Sequence, residues 1–531
     1  MSQQNTQSSL IKIKQLMNQG EFDIAQFECA KCLLEDEFNI EARVMMSGLY
    51  YRSGKYQSAV QYALMAGKLV HESSDWREVL ATSAQLAFLG EEQAALSCMD
   101  LISINRDENI SGAADIAKQF QLLESHTKAL EWLALAEIHG VSLAQVTELR
   151  GMIYMFDGDL AGSEIELEKS ISEYKNQSIS PHLLLSMFGD AKARTDRLKA
   201  AFANKQFASA DLPYLHYALF KEFDSLGQVD QAWEHLSTGS VLRRNEVFYS
   251  GELETRAYDE LIAVTQNLKF ATNTISGINT TPIFVIGMPR SGTSLLESML
   301  AGDVSIAACG ELKVMRCQIQ FVLNKKIGNP FDRDILQALP DMDFLRLGQR
   351  YLEKAGWKAG NKPFFIDKNP GNFNYAGLIL KALPNAKIIN LTRHPMDVCF
   401  SNLKEIFGPL YYTYSYTQEE CANHYKNYKR LMGHWHSIAP GRILDVAYEN
   451  LVSQPTTELK RVQEFCGLAL QPYEAKKRGG EFMSNTASTV QLREPIHKRN
   501  LNGWHRYQEY LGGMEMLLKW DVEEYIQQYL N

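Results

Sequence analysis

Pro282-Ile-Phe-Val-Ile286 runs straight into Gly287-Met-Pro-Arg-Ser-Gly-Thr-Ser294, and a helical apolar pattern (Leu295, Leu296, Met299, Leu300) begins at once. The first run is short, apolar and of strand type. Strand, glycine loop and helix in that order make an anion cradle, because loop N–H groups and the helix N-terminus point at one spot. The loop nearly fits G-x-x-x-x-G-K-[ST], with Gly287, Gly292 and Ser294 in place, but Thr293 occupies the lysine position. A nucleotide triphosphatase needs that lysine at the β/γ-phosphates. No carboxylate of metal-binding type closes a strand either: Lys368 follows Asp367, and Asp397 falls on a predicted helix. Arg290 supplies a cation inside the loop, with fork geometry for an oxyanion. The loop therefore reads as an oxyanion site without a metal rather than a magnesium–NTP site.

Three further junctions downstream repeat the strand-then-polar pattern. Phe364-Phe-Ile366 leads into Asp367-Lys368-Asn369-Pro370, and Lys387-Ile-Ile-Asn-Leu-Thr392 into Arg393-His394-Pro395-Met-Asp397 and a helix through Ser401. Arg442-Ile-Leu-Asp-Val446 leads into Tyr448-Glu449-Asn450-Leu451. Strands separated by helical stretches predict a parallel sheet with ligands at the strands' carboxyl ends. Arg290, Lys368, Arg393 and Ser401 are then expected to converge on one anion.

PIFVIGMPRSGTSLLESML resembles the 5′-phosphosulfate loop of sulfotransferases, and INLTRHPMDVCFSNLKEIF resembles their 3′-phosphate motif, with Arg393 and Ser401 eight residues apart. DKNPGNF and VAYENLVSQP are similar to the branch that holds tyrosylprotein sulfotransferases and bacterial tetratricopeptide-repeat sulfotransferases. The resemblance spans about 281–510. It implies 3′-phosphoadenosine 5′-phosphosulfate as donor and no metal. It places Arg290, Ser291, Gly292, Thr293 and Ser294 on the 5′-phosphosulfate, Arg393 and Ser401 on the 3′-phosphate, and Tyr448 near the adenine. Arg290 and Lys368 would neutralise the leaving phosphate, Lys368 at its bridging oxygen. Glu311, in Cys309-Gly310-Glu311, falls in the segment of the family's general base; a carboxylate at a helix start is the structural alternative. The tyrosylprotein branch has two adjacent acids there, where this chain has Glu311-Leu312. The C-terminal motif, Thr486–Trp504, has Gly503 where a basic residue usually precedes the tryptophan, with Lys498 or Arg499 as replacements.

Upstream, residues 271–281 (ATNTISGINTT) are small and polar and read as a linker. Before them lies an array. Gly20-Glu-Phe22-Asp-Ile-Ala25 recurs as Gly54-Lys-Tyr56-Gln-Ser-Ala59 and Gly90-Glu-Glu-Gln-Ala-Ala95. Weaker copies are Glu124-Ser-His126-Thr-Lys-Ala129, Gly158-Asp-Leu160-Ala-Gly-Ser163 and Gly227-Gln-Val229-Asp-Gln-Ala232. The steps are 34, 36, 34, 34 and 69 residues. Glycine ends one helix, the residue two later plugs the turn, and the alanine lets the next helix come close. The pattern resembles tetratricopeptide repeats, which usually bind peptides; an array that only scaffolds the following domain is the alternative. The expected organisation is thus α + α/β: an all-α repeat solenoid over 9–270, a linker over 271–281, and a P-loop-like α/β domain over 282–531. On this reading the repeats do not reach the nucleotide, so residues 271–531 would bind donor by themselves.

Composition agrees with two architectures. Residues 1–280 carry a net charge of −14 and residues 281–531 carry +5. Two of the 15 prolines precede residue 281. The acidic half argues against nucleic-acid binding, and the basic half suits an anion. The polar start MSQQNTQSSL lacks a leader's apolar core, and no apolar run spans a membrane. Eight cysteines in 531 residues are sparse, so free thiols in the cytoplasm are expected. Cys29 and Cys32 form a CxxC on a helix face, read as buried thiols, and His434 and His436 read as ordinary helix residues. The resemblance implies a sulfotransferase with a hydroxyl acceptor, which the repeats suggest is a protein or peptide such as a tyrosine, with a saccharide or small molecule open. The competing readings are a P-loop kinase and a repeat adaptor whose transferase domain binds nucleotide without turnover.

Overall fold

The computed structural model describes residues 3–72, 74–104, 106–175, 177–188, 192–204, 207–270, 280–328, 333–408, 412–470, 490, 496 and 498–530. It divides into two compact units, Met1–Leu149 with Lys313–Trp357, and Arg150–Leu312 with Lys358–Asn531. Most of the 271–281 linker lies outside the described residues.

The first unit opens with paired helices: Gln3–Gln19 with Phe22–Glu35, Ile40–Arg52 with Tyr56–Leu69, Trp76–Phe88 with Glu92–Met99, and Ala113–Leu122 with His126–Ile138. The recurring motif sits at the turn of each pair. Gly20, Gly54 and Gly90 take φ of 80°, 77° and 78°, and Glu124, the degraded copy, takes 58°. In each turn the following N–H reaches back five residues in the 6→1 pattern that closes a helix, Glu21 to the Leu16 carbonyl at 2.9 Å and Ser125 to the Phe120 carbonyl at 2.9 Å. A non-glycine residue in this region gives up roughly 1–2 kcal/mol, so Glu124 persists because the repeat imposes the turn. The motif alanines Ala25, Ala59, Ala95 and Ala129 are fully buried. Polar side chains link successive pairs at the same period: Gln85 Nε2 donates to Ser47 Oγ at 2.9 Å, and Gln119 Nε2 to Ser83 Oγ at 3.1 Å. Cys29 and Cys32 are buried, Cys29 Sγ donates to the Ala42 carbonyl, and burial pushes its thiol up to about 12.

The same unit takes in the segment between the second and third strands. Helix Val314–Leu323 lies against Tyr56–Leu69, where Gln57 N donates to Asn324 Oδ1 and Gln57 Nε2 to the Phe321 carbonyl, both at 2.9 Å. Buried Glu91 pairs with Lys354 at 2.8 Å and Arg350 at 3.4 Å. A Cβ on Gly90 would fall 2.6 Å from Cys317 Cβ, so this turn needs its glycine for close approach as well as for φ.

The second unit holds a parallel sheet of β1 (Thr281–Gly287), β2 (Ile306–Ala308), β3 (Phe364–Lys368), β4 (Lys387–Thr392) and β5 (Ile443–Ala447), in the order β2-β3-β1-β4-β5. The four expected strands are present, and three-residue β2 adds an edge. Ile283, Phe284, Val285 and Ile286 are fully buried, as a central parallel strand covered on both faces requires. Beneath the strand ends, Leu296, Leu300, Ile366, Ile389, Leu391, Val446 and Leu451 form one core cluster. The register aligns Val285 with Lys368 and Gly287 with Leu391, so the polar residues that follow β1, β3 and β4 emerge at one edge. This unit also contains the last helical hairpin, Leu212–Ser225 and Val229–Glu246, turning at Gly227 with φ 72°. Among the described residues no helix is long and apolar enough to cross a membrane.

Candidate active site

The loop after β1 is tightly prescribed. Gly287, at φ 147°, has no room for a Cβ, which would lie 2.5 Å from the Leu391 carbonyl oxygen. Gly292, at φ 108°, lies under the Tyr448 ring, and a Cβ there would meet Tyr448 Cδ2 at 2.4 Å. Arg290 between them takes φ 67°. Asn402 Nδ2 donates to the Pro289 carbonyl at 2.8 Å, and Tyr414 OH donates to Asn402 Oδ1 at 3.0 Å, so the helix Pro395–Leu403 grips the loop from below. Ser291, Thr293 and Ser294 are buried, and Thr293 and Ser294 open helix Thr293–Leu300.

Two clusters form at the strand ends. In the first, Arg393 Nη1 donates to the Arg290 carbonyl at 2.9 Å and Nη2 to the Asn500 carbonyl at 2.6 Å. Its guanidinium lies 4.5 Å from the Tyr448 ring centroid. Arg290, Gly292, Arg393 and Tyr448 are thus brought together. Ser401 sits two helical turns beyond Arg393 on helix Pro395–Leu403, beside the loop-gripping Asn402. In the second cluster, Lys368 closes β3 with 1 % exposure, and its Nζ lies 2.7 Å from Glu311 Oε1 and 4.0 Å from Glu297 Oε2. Lys368 N donates to the Gly310 carbonyl, Gly310 N to Glu297 Oε1, and Asn369 Nδ2 to the Leu312 carbonyl. These bonds hold the 310–312 segment beside the lysine. Glu311 keeps 43 % of its side chain exposed, whereas Glu297 is buried.

Several residues at the site carried no local sequence signal. Glu297 looks like one polar position in an apolar helix. Glu405, buried, accepts from Lys221 Nζ at 3.1 and 3.2 Å and faces Arg290 Nη2 at 3.6 Å. Burial pushes the Glu405 carboxyl up, but Lys221, Arg290 and Lys404 together outweigh it and hold the group below the usual carboxylate range. Asp397 accepts from Asn502 N at 2.8 Å and Trp504 N at 3.3 Å, at the start of its helix, where a carboxylate also suits the helix dipole. Trp504 stacks on His394 with centroids 6.2 Å apart. Of the C-terminal motif, 486–489, 491–495 and 497 lie outside the described residues. Within the rest, the contact to Arg393 comes from the Asn500 backbone, and a Cβ on Gly503 would lie 3.9 Å from Asp397 Oδ1. His434 bonds Thr265 and His436 bonds Asp445, as ordinary helix residues do. Among the described residues no cluster of three His, Cys, Asp or Glu is placed to hold a metal ion.

Residues 282–472 match the model of the Sulfotransferase family. This segment is a sulfotransferase-family domain. A protein of Aquifex aeolicus (strain VF5) is 26% identical over 429 residues, covering 77% of this chain and 52% of its own. The chain therefore spans about half the length of that relative. A Caenorhabditis briggsae protein named "Putative protein-tyrosine sulfotransferase" is 23% identical over 227 residues, which are 42% of this chain and 80% of that protein. Among solved structures, the sulfotransferase domain from the curacin biosynthetic pathway aligns with a TM-score of 0.32 at 18% identity, covering 47% of this chain and 98% of that one.

Proposed function

We propose that this chain transfers a sulfuryl group from 3′-phosphoadenosine 5′-phosphosulfate to a hydroxyl on a protein or peptide acceptor, a tyrosine among the candidates. The observation that carries the reading is the Lys368–Glu311 pair at 2.7 Å, set beside an oxyanion loop whose cation is Arg290 rather than a Walker lysine. The bound donor would supply the activated sulfuryl group. The residues present fit such a polyanion: Ser291 Oγ and Arg393 Nε are buried and have no hydrogen-bond partner, donors of the kind an anion satisfies. Ser291, Gly292, Thr293, Ser294 and Arg290 would bind the 5′ end, Arg393 and Ser401 the 3′-phosphate, and Tyr448 would border the base.

Glu311 is the group that would take the acceptor's proton, because it is half exposed and held by a lysine. Lys368 and Arg290 would stabilise charge that builds on the leaving phosphate. Transfer of this kind is loose and in-line, so positioning and electrostatics carry the rate. Asp367 bonds Asn372 and Asp397 holds the C-terminal segment, so both carboxylates have structural work. The repeat helices are the surface proposed to hold a peptide acceptor.

The test is incubation of the full-length chain and a cell extract with donor labelled in the sulfuryl group, followed by separation into protein, glycan and small-molecule fractions. Label in protein, retained in excess chelator and unaffected by ATP, is expected. Label confined to glycan or small molecules would overturn the acceptor. Metal-dependent phosphate transfer from ATP would overturn the reaction.

A further inference from the structure

We propose that Lys221, on the last helical hairpin, is a positioning residue for donor binding: it neutralises Glu405 so that Arg290 keeps its charge for the anion. The proposal rests on the sulfotransferase reading above and adds to it a residue far outside the family domain.

Glu405 is 7 % exposed and lies between two cations. Lys221 Nζ binds both of its oxygens, at 3.2 and 3.1 Å, and Arg290 Nη2 forms a longer ion pair with one of them at 3.6 Å. A buried carboxylate must be paired. If Lys221 is removed, the nearby cations left to Glu405 are Arg290 and Lys404. Glu405 then competes with the ligand for the arginine whose loop forms the anion cradle. Lys221 thus sets how much positive charge the loop presents without touching the ligand.

The hairpin also contacts the C-terminal segment that bonds the second arginine. Asp224 Oδ1, three residues after Lys221, accepts from Tyr507 OH at 2.6 Å and lies 3.0 Å from Arg506 Nη2. Trp233, on the partner helix, stacks on Tyr510 with centroids 5.0 Å apart and an interplanar angle of 16°. That C-terminal segment supplies the Asn500 carbonyl to Arg393. Tyr217 OH adds a bond to the Leu403 carbonyl at 3.1 Å, at the end of the helix that grips the loop. The sequence pattern predicts that the repeats do not reach the nucleotide; helix Leu212–Ser225 does bond Leu403 and Glu405, at and just past the end of the loop-gripping helix, and a fragment starting at residue 271 would lack Lys221.

The experiment uses the full-length chain and adenosine 3′,5′-bisphosphate as probe, with dissociation constants from calorimetry for wild type, Lys221→Met, Lys221→Arg, Glu405→Gln and the Lys221→Met/Glu405→Gln double variant. Lys221→Met is expected to weaken binding about tenfold or more, and Lys221→Arg to bind as wild type. The double variant should return to within about threefold of wild type, because the competing carboxylate is gone. Wild-type affinity in Lys221→Met, or a double variant no tighter than Lys221→Met, would overturn the proposal and leave the lysine a packing role. Absence of binding by wild type would instead overturn the donor reading, and the proposal with it.

Discussion

Lys368 Nζ lies 2.7 Å from Glu311 Oε1 and 4.0 Å from Glu297 Oε2, so one buried ammonium serves two carboxylates of different exposure. Glu297 is enclosed and bonded to the Gly310 N–H, whereas Glu311 faces partly outward. The enclosed one holds the 310–312 segment through Gly310 N, while the exposed one makes the shorter contact to the lysine. The outward one keeps 43 % of its side chain exposed.

This asymmetry predicts different outcomes for the pair. Glu311→Gln should lower kcat by about 10²–10⁴-fold, the usual worth of a general acid or base, with product nucleotide binding and Tm close to wild type. Lys368→Met should lose turnover as well and also unfold more readily, because it leaves buried Glu297 without its lysine. Steady-state kinetics and thermal unfolding decide the matter. Near-normal kcat in Glu311→Gln would return that residue to a purely structural role.

How far this site could be read in sequence depends on whether its parts are local. The apolar runs that become β1, β3, β4 and β5 each lead into a polar segment, so the place of Arg290, Lys368, Arg393 and Tyr448 at the strand ends was visible from pattern. The repeat turns were visible for the same reason, even where Glu124 replaces glycine. Edge strand β2 was not, since three residues show no period. Lys221 and Glu405 are 184 residues apart, and neither stands in a distinctive motif. Their pairing follows from how the last hairpin packs, which no local spacing encodes. Glu297 was missed because a lone carboxylate in an apolar helix looks like a solvent-facing position until β3 brings Lys368 beside it.

Gly292→Ala should be damaging beyond the loss of a flexible residue. The new Cβ would meet Tyr448 Cδ2 at 2.4 Å, and φ 108° is unfavourable for any side chain. A cost of about 1–3 kcal/mol in urea unfolding is expected, together with loss of nucleotide binding. Adding Tyr448→Ala should relieve the clash but not the backbone strain, so recovery should be partial. Unchanged stability in Gly292→Ala would mean that the tyrosine does not press on the loop.

Donor affinity should carry a proton. Burial pushes the Lys404 ammonium down to about 8, with Asp224 opposing and Arg290, Arg393 and Lys221 adding to the fall. A bound polyanion favours the charged form and raises that value again. Between the two values binding takes up a proton, so affinity should fall as pH rises through about 8 and above. For the free protein the sign is opposite. The unfolded chain binds more protons than the folded one above pH 8, so this group's contribution to stability rises with pH up to the ordinary lysine range. Calorimetry at pH 8.5 in buffers of different ionisation enthalpy should register proton uptake, and Lys404→Met should abolish it (about pH 8–9 is the informative window). Equal apparent enthalpies in all buffers would remove Lys404 from the ligand's field.

Arg393 should set donor choice. Each Nη gives one N–H to a carbonyl, of Arg290 and of Asn500, which fixes the guanidinium over Tyr448, and Nε is buried with no hydrogen-bond partner. A ligand lacking its 3′-phosphate leaves that charge unmatched, at about 2–5 kcal/mol. Since ~1.4 kcal/mol is tenfold, 3′-phosphoadenosine 5′-phosphosulfate should bind roughly 30-fold or more tightly than adenosine 5′-phosphosulfate. Arg393→Ala also releases the Arg290 carbonyl, so both ligands should weaken somewhat, and the decisive quantity is their ratio. That ratio should fall towards one in Arg393→Ala. In Arg393→Lys it should be reduced but retained, because a lysine keeps the charge and loses the two-carbonyl grip. Dissociation constants for both ligands in the three proteins measure it directly. A ratio unchanged by Arg393→Ala would place the 3′-phosphate elsewhere and detach this arginine from donor recognition.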